Sequence, residues 1–269
     1  MSSPGAVSNR EAATKAPGAL NIPGWMQWTA LSGRSIRAGL REGDVVLAFS
    51  APLVFYVCFY VPLRRSMEVS GIDYAQYLLP LIVVYAMFFG SMFAGDRAAR
   101  EVAGGMATRL RSMPLRSWVP VAARMSANLM RAVAALVGAL VIGTVFGFRF
   151  HAAGAALVFL VVALAFGAAL VICTDTLGTV TRNPDLSGTV LFGPQLLLIM
   201  ISTGFVPVQG FPGWIQPFVR NQPVSQVTDA LRGLADGRFT AQLGVAAIWI
   251  GALLVGGAVL ATRVEGRRL

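Results

Sequence analysis

The chain has 269 residues, a net charge of +10, and a composition that is 56% hydrophobic but only 13% charged. A soluble domain carries about 25% charged residues, so this composition excludes a large soluble globule, whose surface it could not cover. The basic residues lie between apolar segments and not on one face of a compact domain, which argues against a nucleic-acid-binding protein.

The first 44 residues divide into a tail and a predicted helix. Residues 1–23 are small, polar and proline-bearing, and they lack the apolar core of a signal peptide, so they predict a disordered cytoplasmic tail. Residues 24–44 place apolar and basic side chains at helical spacing, which predicts an amphipathic helix along the membrane interface. An ordinary cytosolic amphipathic helix is the alternative. The residues that carry the pattern are Trp25, Trp28, Ile36 and Leu40, with Arg34, Arg37 and Arg41.

Six uncharged runs follow, and most are close to the 20 apolar residues that a spanning helix needs. They predict an all-α integral membrane protein, with a six-span domain over residues 45–262 and a short cytoplasmic tail over residues 263–269. The predicted spans are residues 45–63, 74–95, 132–148, 152–174, one span within 186–219, and 239–262.

The distribution of basic residues predicts the orientation of these spans. With the N-terminus inside, the inner segments hold 15 Lys and Arg residues and the outer segments hold 6. Cytoplasmic loops carry the excess of basic residues, so both termini are predicted to be cytoplasmic. Arg131 is left out of this count because it lies at the inner edge of the third span, where we expect its side chain to snorkel towards the interface.

Several kinds of chemistry are missing from the sequence. Lys15 is the only lysine, so the chain cannot contain a phosphate-binding loop of the Walker A type. His151 is the only histidine, and it is interpreted as an interfacial residue, since one histidine without a cysteine cluster predicts neither a metal site nor a catalytic triad. The spans carry almost no acids, which disfavours proton or ion coupling. The chain is therefore expected to hold no catalytic, cofactor or metal residue, and to move amphipathic or lipid-like cargo with energy supplied elsewhere.

Three connections carry the candidate functional residues. The inner loop over residues 96–124 begins with Asp96, Arg97, Arg100 and Glu101, which could pair along a helix, and continues into residues 109–114, which could form a short helix that docks onto a partner. A solvated basic loop is the alternative. A second inner turn, residues 178–189, carries Arg182 and Asp185 beside a proline, and it is predicted to set the fourth span against the fifth.

The outer segment over residues 205–237 holds four prolines and several aromatic residues. It is too broken to span the membrane, and it predicts short half-inserted helices whose backbone is shielded by protein; a plain external loop is the alternative. Residues 225–234 predict one helix, with Ser225 as the N-cap and Gly233 or Gly237 as the stop.

Three stretches resemble the ABC-2-type exporter permeases, and in particular their daunorubicin-resistance branch. They are RLRSMPLRSWVPVAAR (109–124), GTVTRNPD (178–185) and, above all, GFVPVQGFPGWIQPFVRNQPVSQVTDALRGL (204–234). The last is similar to the signature region of the family, an aromatic and proline-rich segment followed by N-x-P-[VI]-[ST] and an A-[LM]-R-x-[LF] helix. The resemblance covers nearly the whole chain from about residue 25.

The resemblance implies a bacterial inner-membrane exporter that moves hydrophobic or amphipathic cargo, either an anthracycline-like drug or a complex cell-envelope lipid. Two permease subunits, alike or different, would assemble with a pair of ATPase subunits that bind ATP and Mg²⁺, and the cargo path would run between the permeases along the first, second and fifth spans. Membrane lipids would surround the assembly. The rival interpretation is a membrane-embedded structural or assembly factor without its own cargo; a lipid enzyme and a secondary transporter are disfavoured.

The resemblance also implies roles for particular residues. The first inner loop would contain the coupling helix that docks onto the ATPase, and the second inner turn would touch the same partner or pair internally. The two short outer helices would gate release. The implied residues are Arg109, Leu110, Arg111, Ser112, Met113 and Pro114 in the coupling helix, Arg182 and Asp185 in the turn, and Phe211, Trp214, Phe218 and Arg220 in the outer gate.

Overall fold

The computed structural model of the protein describes residues 23–69, 71, 73–105, 118–181, 193–204 and 208–266. Throughout these ranges the regular structure is helical, which confirms the predicted all-α class. The helices are α1 (Gly24–Arg41), α2 (Asp44–Val69), α3 (Tyr74–Ala103), α4 (Trp118–Val145), α5 (Ala153–Thr181), α6 (described over residues 193–200), α7 (Gln216–Asn221), α8 (Pro223–Ala235) and α9 (Ala241–Gly266).

Five of these helices, α2, α3, α4, α5 and α9, are long and apolar enough to cross a membrane. The predicted fifth span lies partly outside the described residues, and α6 covers eight residues of it, so the count of six spans stays a prediction. Helices α3 and α4 extend beyond the predicted spans into residues 96–131. Helix α3 continues through the charged residues to Ala103, because residues 96–103 contain neither glycine nor proline. It ends where Gly105 adopts a φ of 68°.

Helix α3 is the centre of the bundle. In its most apolar stretch 72% of the residues are buried, against 22% in α2 and 17% in α9, which therefore form the periphery. Helices α2, α4 and α5 pack around α3, and α9 packs on the outer side of α5.

Glycine sets the closest approach of α3 and α5. A Cβ at Gly178 would lie 2.8 Å from the carbonyl carbon of Gly95, so only a residue without a side chain fits this crossing. The two glycines of the sequence pattern Gly143-x-x-x-Gly147 have different structural roles. Gly143 packs on the side chain of Leu79, whereas Gly147 has a φ of 105° and forms the turn after α4.

The two ends of the bundle are built differently, and we name them by what they contain. The cluster end holds α1, the start of α2, the end of α3, the first half of α4 and the end of α5, and it carries most of the ion pairs between helices. The cap end holds the turns after α2 and α4 and residues 201–204 and 208–240. At the cluster end, α1 joins α2 through Gly43, with a φ of 79°, and the indole nitrogen of Trp28 donates to Ser126 Oγ of α4 at 3.1 Å.

The cap consists of a 3₁₀ turn at Val208–Gly210 followed by α7 and α8. The prediction of Ser225 as an N-cap is wrong: α8 begins two residues earlier because Pro223 takes the first helical position. Gly237 ends this helix, with a φ of 77° and a hydrogen bond from Arg238 N to Gly233 O at 2.8 Å. His151, in the turn between α4 and α5, places Nδ1 3.2 Å from the carbonyl oxygen of Ala235.

Candidate functional site

One ion-pair cluster joins three helices at the cluster end. Arg124 of α4 places Nη2 2.8 Å from Asp175 Oδ2 and Nε 2.8 Å from Oδ1 on α5, and its Nη1 donates to Glu101 Oε2 of α3 at 3.1 Å. The side chain of Asp175 is 9% exposed and that of Arg124 is 20% exposed. We call these three residues the Arg124 cluster. Removing one partner of such a buried pair costs about 3–5 kcal/mol, because the other charge is left without compensation.

A second cluster lies beside the start of α2 and forms around Arg131. Its guanidinium donates to Asn128 Oδ1 and lies 3.8 Å from Asp44 Oδ2, while Arg97 pairs with Asp44 and, at 3.4 Å, with Glu42. We call these residues the Arg131 cluster. The prediction that Arg131 snorkels is wrong: it is 3% exposed, because the carboxylate at the start of α2 compensates its charge inside the protein.

The pairing predicted along residues 96–101 is also partly wrong. Arg100 does pair with Asp96 at 2.9 Å, one turn along α3. Arg97 and Glu101 lie one turn apart on another side of α3, and they instead pair with residues outside this helix, Arg97 with Asp44 and Glu42 and Glu101 with Arg124. The two clusters therefore join α2, α3, α4 and α5 to one another at the cluster end.

The predicted docking segments lie between these fastened helices but outside the described residues. Residues 109–114 belong to the connection between α3 and α4, and Arg182 and Asp185 belong to the connection that follows α5. The roots of the first connection are described. Glu101 lies four residues before the last described position ahead of the gap, and Arg124 lies six residues after the first described position that follows it. These two residues pair at 3.1 Å, so one ion pair joins the two roots of the loop.

An aromatic stripe runs along α3 and meets α2 at Tyr85. Tyr85, Phe89 and Phe93 recur every four residues, with ring centroids 6.0 and 5.1 Å apart, and Phe55 of α2 stacks on Tyr85 at 3.6 Å. All four rings are half-buried. A half-buried row of rings on an apolar surface is suited to contact other aromatic molecules by stacking or edge-to-face packing. We call these four residues the aromatic stripe.

A polar node connects three helices near the middle of the bundle. Thr174 Oγ1 donates to the carbonyl oxygen of Ser91 at 2.8 Å, and Gln195 Nε2 of α6 donates to Ser91 Oγ at 3.2 Å. All three side chains are buried. Hydrogen bonds between spans in an apolar surrounding fix the register of the helices, so the node sets α6 beside α3.

At the cap end, Arg232 of α8 holds the end of α6. Its guanidinium donates to the carbonyl oxygens of Tyr77 at 3.2 Å, Thr203 at 3.1 Å and Gly204 at 2.8 Å. It also pairs with Asp229 at 2.9 Å and lies 3.7 Å above the ring of Tyr77. Carbonyl groups at the end of a helix carry partial negative charge and attract a cation. We call this arrangement the Arg232 lock.

The four predicted outer-gate residues lie on the surface of the cap and take no part in the lock. Trp214 is 81% exposed and Phe218 is 54% exposed. The carbonyl groups of Phe211 and Arg220 accept hydrogen bonds from Gln216 and Gln226 at 2.8 and 2.7 Å, which shape α7 and its junction with α8. Trp214, Phe218 and Arg220 are exposed and Phe211 is half-buried, and their role as a gate stays a prediction.

Sequence reasoning missed the lock, the polar node and the aromatic stripe as candidate sites. Arg232 was counted as an outer arginine, although Asp229 three residues earlier is a visible signal for pairing on one helix face. Tyr85, Phe89 and Phe93 follow an i, i+4, i+8 pattern that is readable in the sequence. The partners of Ser91 lie on other helices, and no local pattern reveals them.

Comparison with known proteins finds one matching family and several relatives that are named as drug-resistance permeases. The sequence signature described as ABC-2 type transporter matches residues 22–235. The doxorubicin resistance ABC transporter permease protein DrrB of Mycobacterium tuberculosis is 36% identical over 218 residues, 78% of this chain and 75% of the relative. The probable doxorubicin resistance permease DrrC of the same organism is 33% identical over 196 residues, 72% and 70% of the two chains. The daunorubicin resistance permease DrrB1 of Streptomyces coeruleorubidus is 30% identical over 200 residues, 72% and 68%.

Proposed function

The chain belongs to the ABC-2 type transporter family, and from this premise we propose that it moves flat, hydrophobic aromatic compounds, with energy from a separate ATPase. That it is the transmembrane permease subunit of an ABC exporter follows from the family and from relatives that are named as drug-resistance permeases. The rival interpretation of a structural factor without cargo is not supported by any of these relatives.

The aromatic stripe is the observation that carries the proposal on cargo. It lies on α2 and α3, the first two spans, which were expected to line the path between two permease subunits. Its rings are half-buried, so part of their apolar surface is accessible to a bound cargo molecule. Each aromatic contact contributes about 0.5–1.5 kcal/mol beyond its buried area, which favours a polycyclic aromatic guest over an acyl lipid. The names of the relatives, which refer to doxorubicin and daunorubicin, point to the same class.

Coupling to the ATPase is proposed to run through the connection between α3 and α4. Residues 109–114 would dock in the partner, as the resemblance implies, with ATP and Mg²⁺ bound there. The described geometry supports this because the Glu101–Arg124 pair joins the two roots of the loop and Asp175 ties them to α5. A displacement of the loop would then move α3, α4 and α5 together. Arg182 and Asp185, after α5, would form a second contact.

Release is proposed to occur at the cap end, with both termini on the cytoplasmic side of the bacterial inner membrane. The Arg232 lock ties α8 to the ends of α3 and α6, so the cap can only rise if hydrogen bonds to three carbonyl groups are exchanged. The exposed surface around Trp214 would face the outer headgroups, where tryptophan is enriched.

The test of coupling is co-purification. We expect the tagged chain, expressed in its own cells, to retain an ABC ATPase and its ATP hydrolysis after purification in mild detergent. Arg111→Ala and Met113→Ala should release the ATPase, whereas Arg64→Ala, an exposed residue paired with Glu68 at the other end of α2, should not. Purification of the permease alone under all these conditions would contradict the proposal.

The test of cargo is uptake of doxorubicin into inverted membrane vesicles that contain the permease and the ATPase. Phe89→Leu keeps an apolar side chain but removes the ring, and we expect the concentration for half-maximal uptake to rise about threefold to tenfold, the equivalent of one lost aromatic contact. Phe239→Leu is the matched control, since Phe239 is 66% exposed and lies outside the stripe. Equal behaviour of the two variants would remove the stripe from the path.

A further inference from the structure

Helix α1 packs on the bundle with one side only. On that side Ser32 and Gly39 are buried, the indole nitrogen of Trp28 donates to Ser126 Oγ of α4 at 3.1 Å, and a Cβ at Gly39 would lie 3.5 Å from Arg131 Nη1. The other side of α1 faces away from the bundle, and neither the proposed cargo path nor the proposed coupling loop uses it.

One sector of this outer side is apolar. Trp25 is 60% exposed, Met26 is 47% exposed and Leu40 is 51% exposed. On a helix with about 3.6 residues per turn these three side chains lie within about 100° of one another around the axis, and the residues between them in this sector are uncharged. A group of large apolar side chains that are exposed together marks a contact with another protein or with a membrane.

The adjoining sector is basic. Three arginines follow one another there at spacings of three and four residues, so they share one edge of the helix, and α1 contains no acid. The first two acids after the helix, Glu42 and Asp44, are engaged by Arg97, and within the part of the chain that the structure describes the three arginines form no ion pair. Like charges at these spacings repel one another, so the edge attracts an anion. Its residues are Arg34, Arg37 and Arg41, all exposed, and we call them the basic edge.

The position of α1 in the chain favours a membrane over a soluble partner. Arg41 is separated from the first residue of α2, Asp44, only by the turn at Gly43. The first apolar residues of that span, Val46 and Leu47, are 65% and 45% exposed. Helix α1 therefore ends at the level where the first span enters the apolar part of the membrane. An acidic protein surface would match the basic edge alone, whereas a membrane of anionic lipids matches both sectors of the helix.

We propose that the basic edge of α1 binds the phosphate groups of anionic phospholipids in the leaflet at the cluster end, with the apolar sector of the helix against the acyl chains. Guanidinium groups bind phosphate through paired, charge-assisted hydrogen bonds. A zwitterionic headgroup also contains phosphate, but its own ammonium group cancels most of the attraction. Beyond the interfacial position expected from the sequence, α1 thus selects lipids by their charge.

The first test is competition between phosphatidylglycerol and phosphatidylethanolamine of the same acyl length, added in equal amounts to the purified full chain and counted by native mass spectrometry. The wild-type chain should retain phosphatidylglycerol in excess. Arg34→Gln, Arg37→Gln and Arg41→Gln together should lower this excess about fivefold to tenfold, since each basic residue near an anionic surface adds to the attraction. The matched control carries glutamine in place of three exposed arginines of the cap end and should keep the excess. The control residues are Arg65, Arg149 and Arg220.

Hydrogen exchange in nanodiscs then locates the bound lipid. Adding phosphatidylglycerol to phosphatidylcholine nanodiscs should slow the exchange of residues 24–41 in the wild type but not in the triple glutamine variant, and exchange in residues 223–235 should stay the same in both. Lysine at the same three positions keeps the charge and should preserve the lipid preference. Preference restored by lysine also shows that its loss in the glutamine variant reflects the missing charge and not misfolding.

Several outcomes would overturn the proposal. They are equal retention of the two lipids by the wild type, an equal loss in the glutamine variants of the two ends, and protection of α1 by inorganic phosphate alone. Release of the ATPase by the triple glutamine variant with an unchanged lipid preference would assign the basic edge to the ATPase instead. The proposal is independent of cargo and of the coupling loop, so a failure of Arg111→Ala to release the ATPase would leave it standing.

Discussion

The cluster end and the cap end of the bundle both rely on arginine, but the partners differ. At the cluster end Arg124 and Arg131 face carboxylates on other helices, Asp175 and Asp44. At the cap end Arg232 faces the backbone carbonyl groups of Thr203 and Gly204, with one carboxylate on its own helix. A pair of opposite charges in a buried place is costly to separate, whereas bonds to carbonyl groups can be exchanged for water at a membrane surface. We therefore expect the cluster end to transmit movement as a unit and the cap end to open.

The largest expected effect comes from breaking the pair at the cluster end. Arg124→Met should lower the free energy of unfolding by about 3–5 kcal/mol, because Asp175 would be left buried without a counter-charge. The measurement is thermal or denaturant unfolding of the purified permease in detergent. The double variant Arg124→Met with Asp175→Leu should recover most of the loss. A single variant as stable as the wild type would show that the cluster contributes nothing to the fold.

The next effect is expected at the cap end, and it should be local. Arg232→Leu removes the donors to three carbonyl groups, and we expect the opening free energy of α8 to fall by about 3 kcal/mol, since each unpaired buried carbonyl costs about 1–3 kcal/mol. Hydrogen exchange should show faster exchange in residues 223–235 and unchanged exchange in α3 near Arg97. Faster exchange throughout the bundle would contradict the distinction between the two ends.

A smaller effect is expected when the glycine near each end of α5 is replaced by alanine. Gly178→Ala, at the cluster end, should lower the free energy of unfolding by about 2 kcal/mol, because the added Cβ would meet the backbone of Gly95. Gly154→Ala, at the cap end, has nothing within 4 Å of its Cβ and should be neutral or slightly stabilising. The same unfolding assay compares them, and equal losses would mean that the crossing of α3 and α5 is not tight.

The smallest effect is expected from an exposed ion pair at the cap end. Arg64 and Glu68 pair at 2.6 Å with about half of each side chain exposed. Exposed pairs contribute little, since water screens them, so Arg64→Gln should leave the melting temperature unchanged within error. A clear decrease would show that arginine pairs at the cap end contribute to stability as those at the cluster end do.

The helical architecture could be predicted from the sequence, because long uncharged runs in a chain of this composition permit few other structures. The positions at which the helices end could not be predicted as accurately. Helix α3 extends to Ala103 because its charged residues find partners on neighbouring helices, and hydropathy does not record those partners. The partner of Arg131, Asp44, is 87 residues away in the chain, so an unpaired arginine at a membrane edge was the natural expectation.

Some of the candidate sites could likewise be found from the sequence, and others could not. The aromatic stripe repeats on one helix and can be found by its period, whereas the polar node at Ser91 depends on side chains from α5 and α6. The exposed outer residues Trp214 and Phe218 stood out in the sequence because aromatic residues among prolines are unusual. Arg232, which makes more contacts than either, looked like any other arginine in an outer loop, since its acceptors are backbone groups that carry no sequence signal.

The order of the charges along the chain has a consequence for biosynthesis. An arginine within a spanning helix costs about 2.5–3.5 kcal/mol when that helix enters the membrane alone, and α4 carries Arg124 and Arg131. In both clusters an acid is made earlier than the arginine that it joins: Asp44 precedes Arg131, and Glu101 precedes Arg124. Each arginine of α4 therefore leaves the ribosome when a counter-charge is already available, and Asp175, which arrives last, completes a site that is already partly neutral.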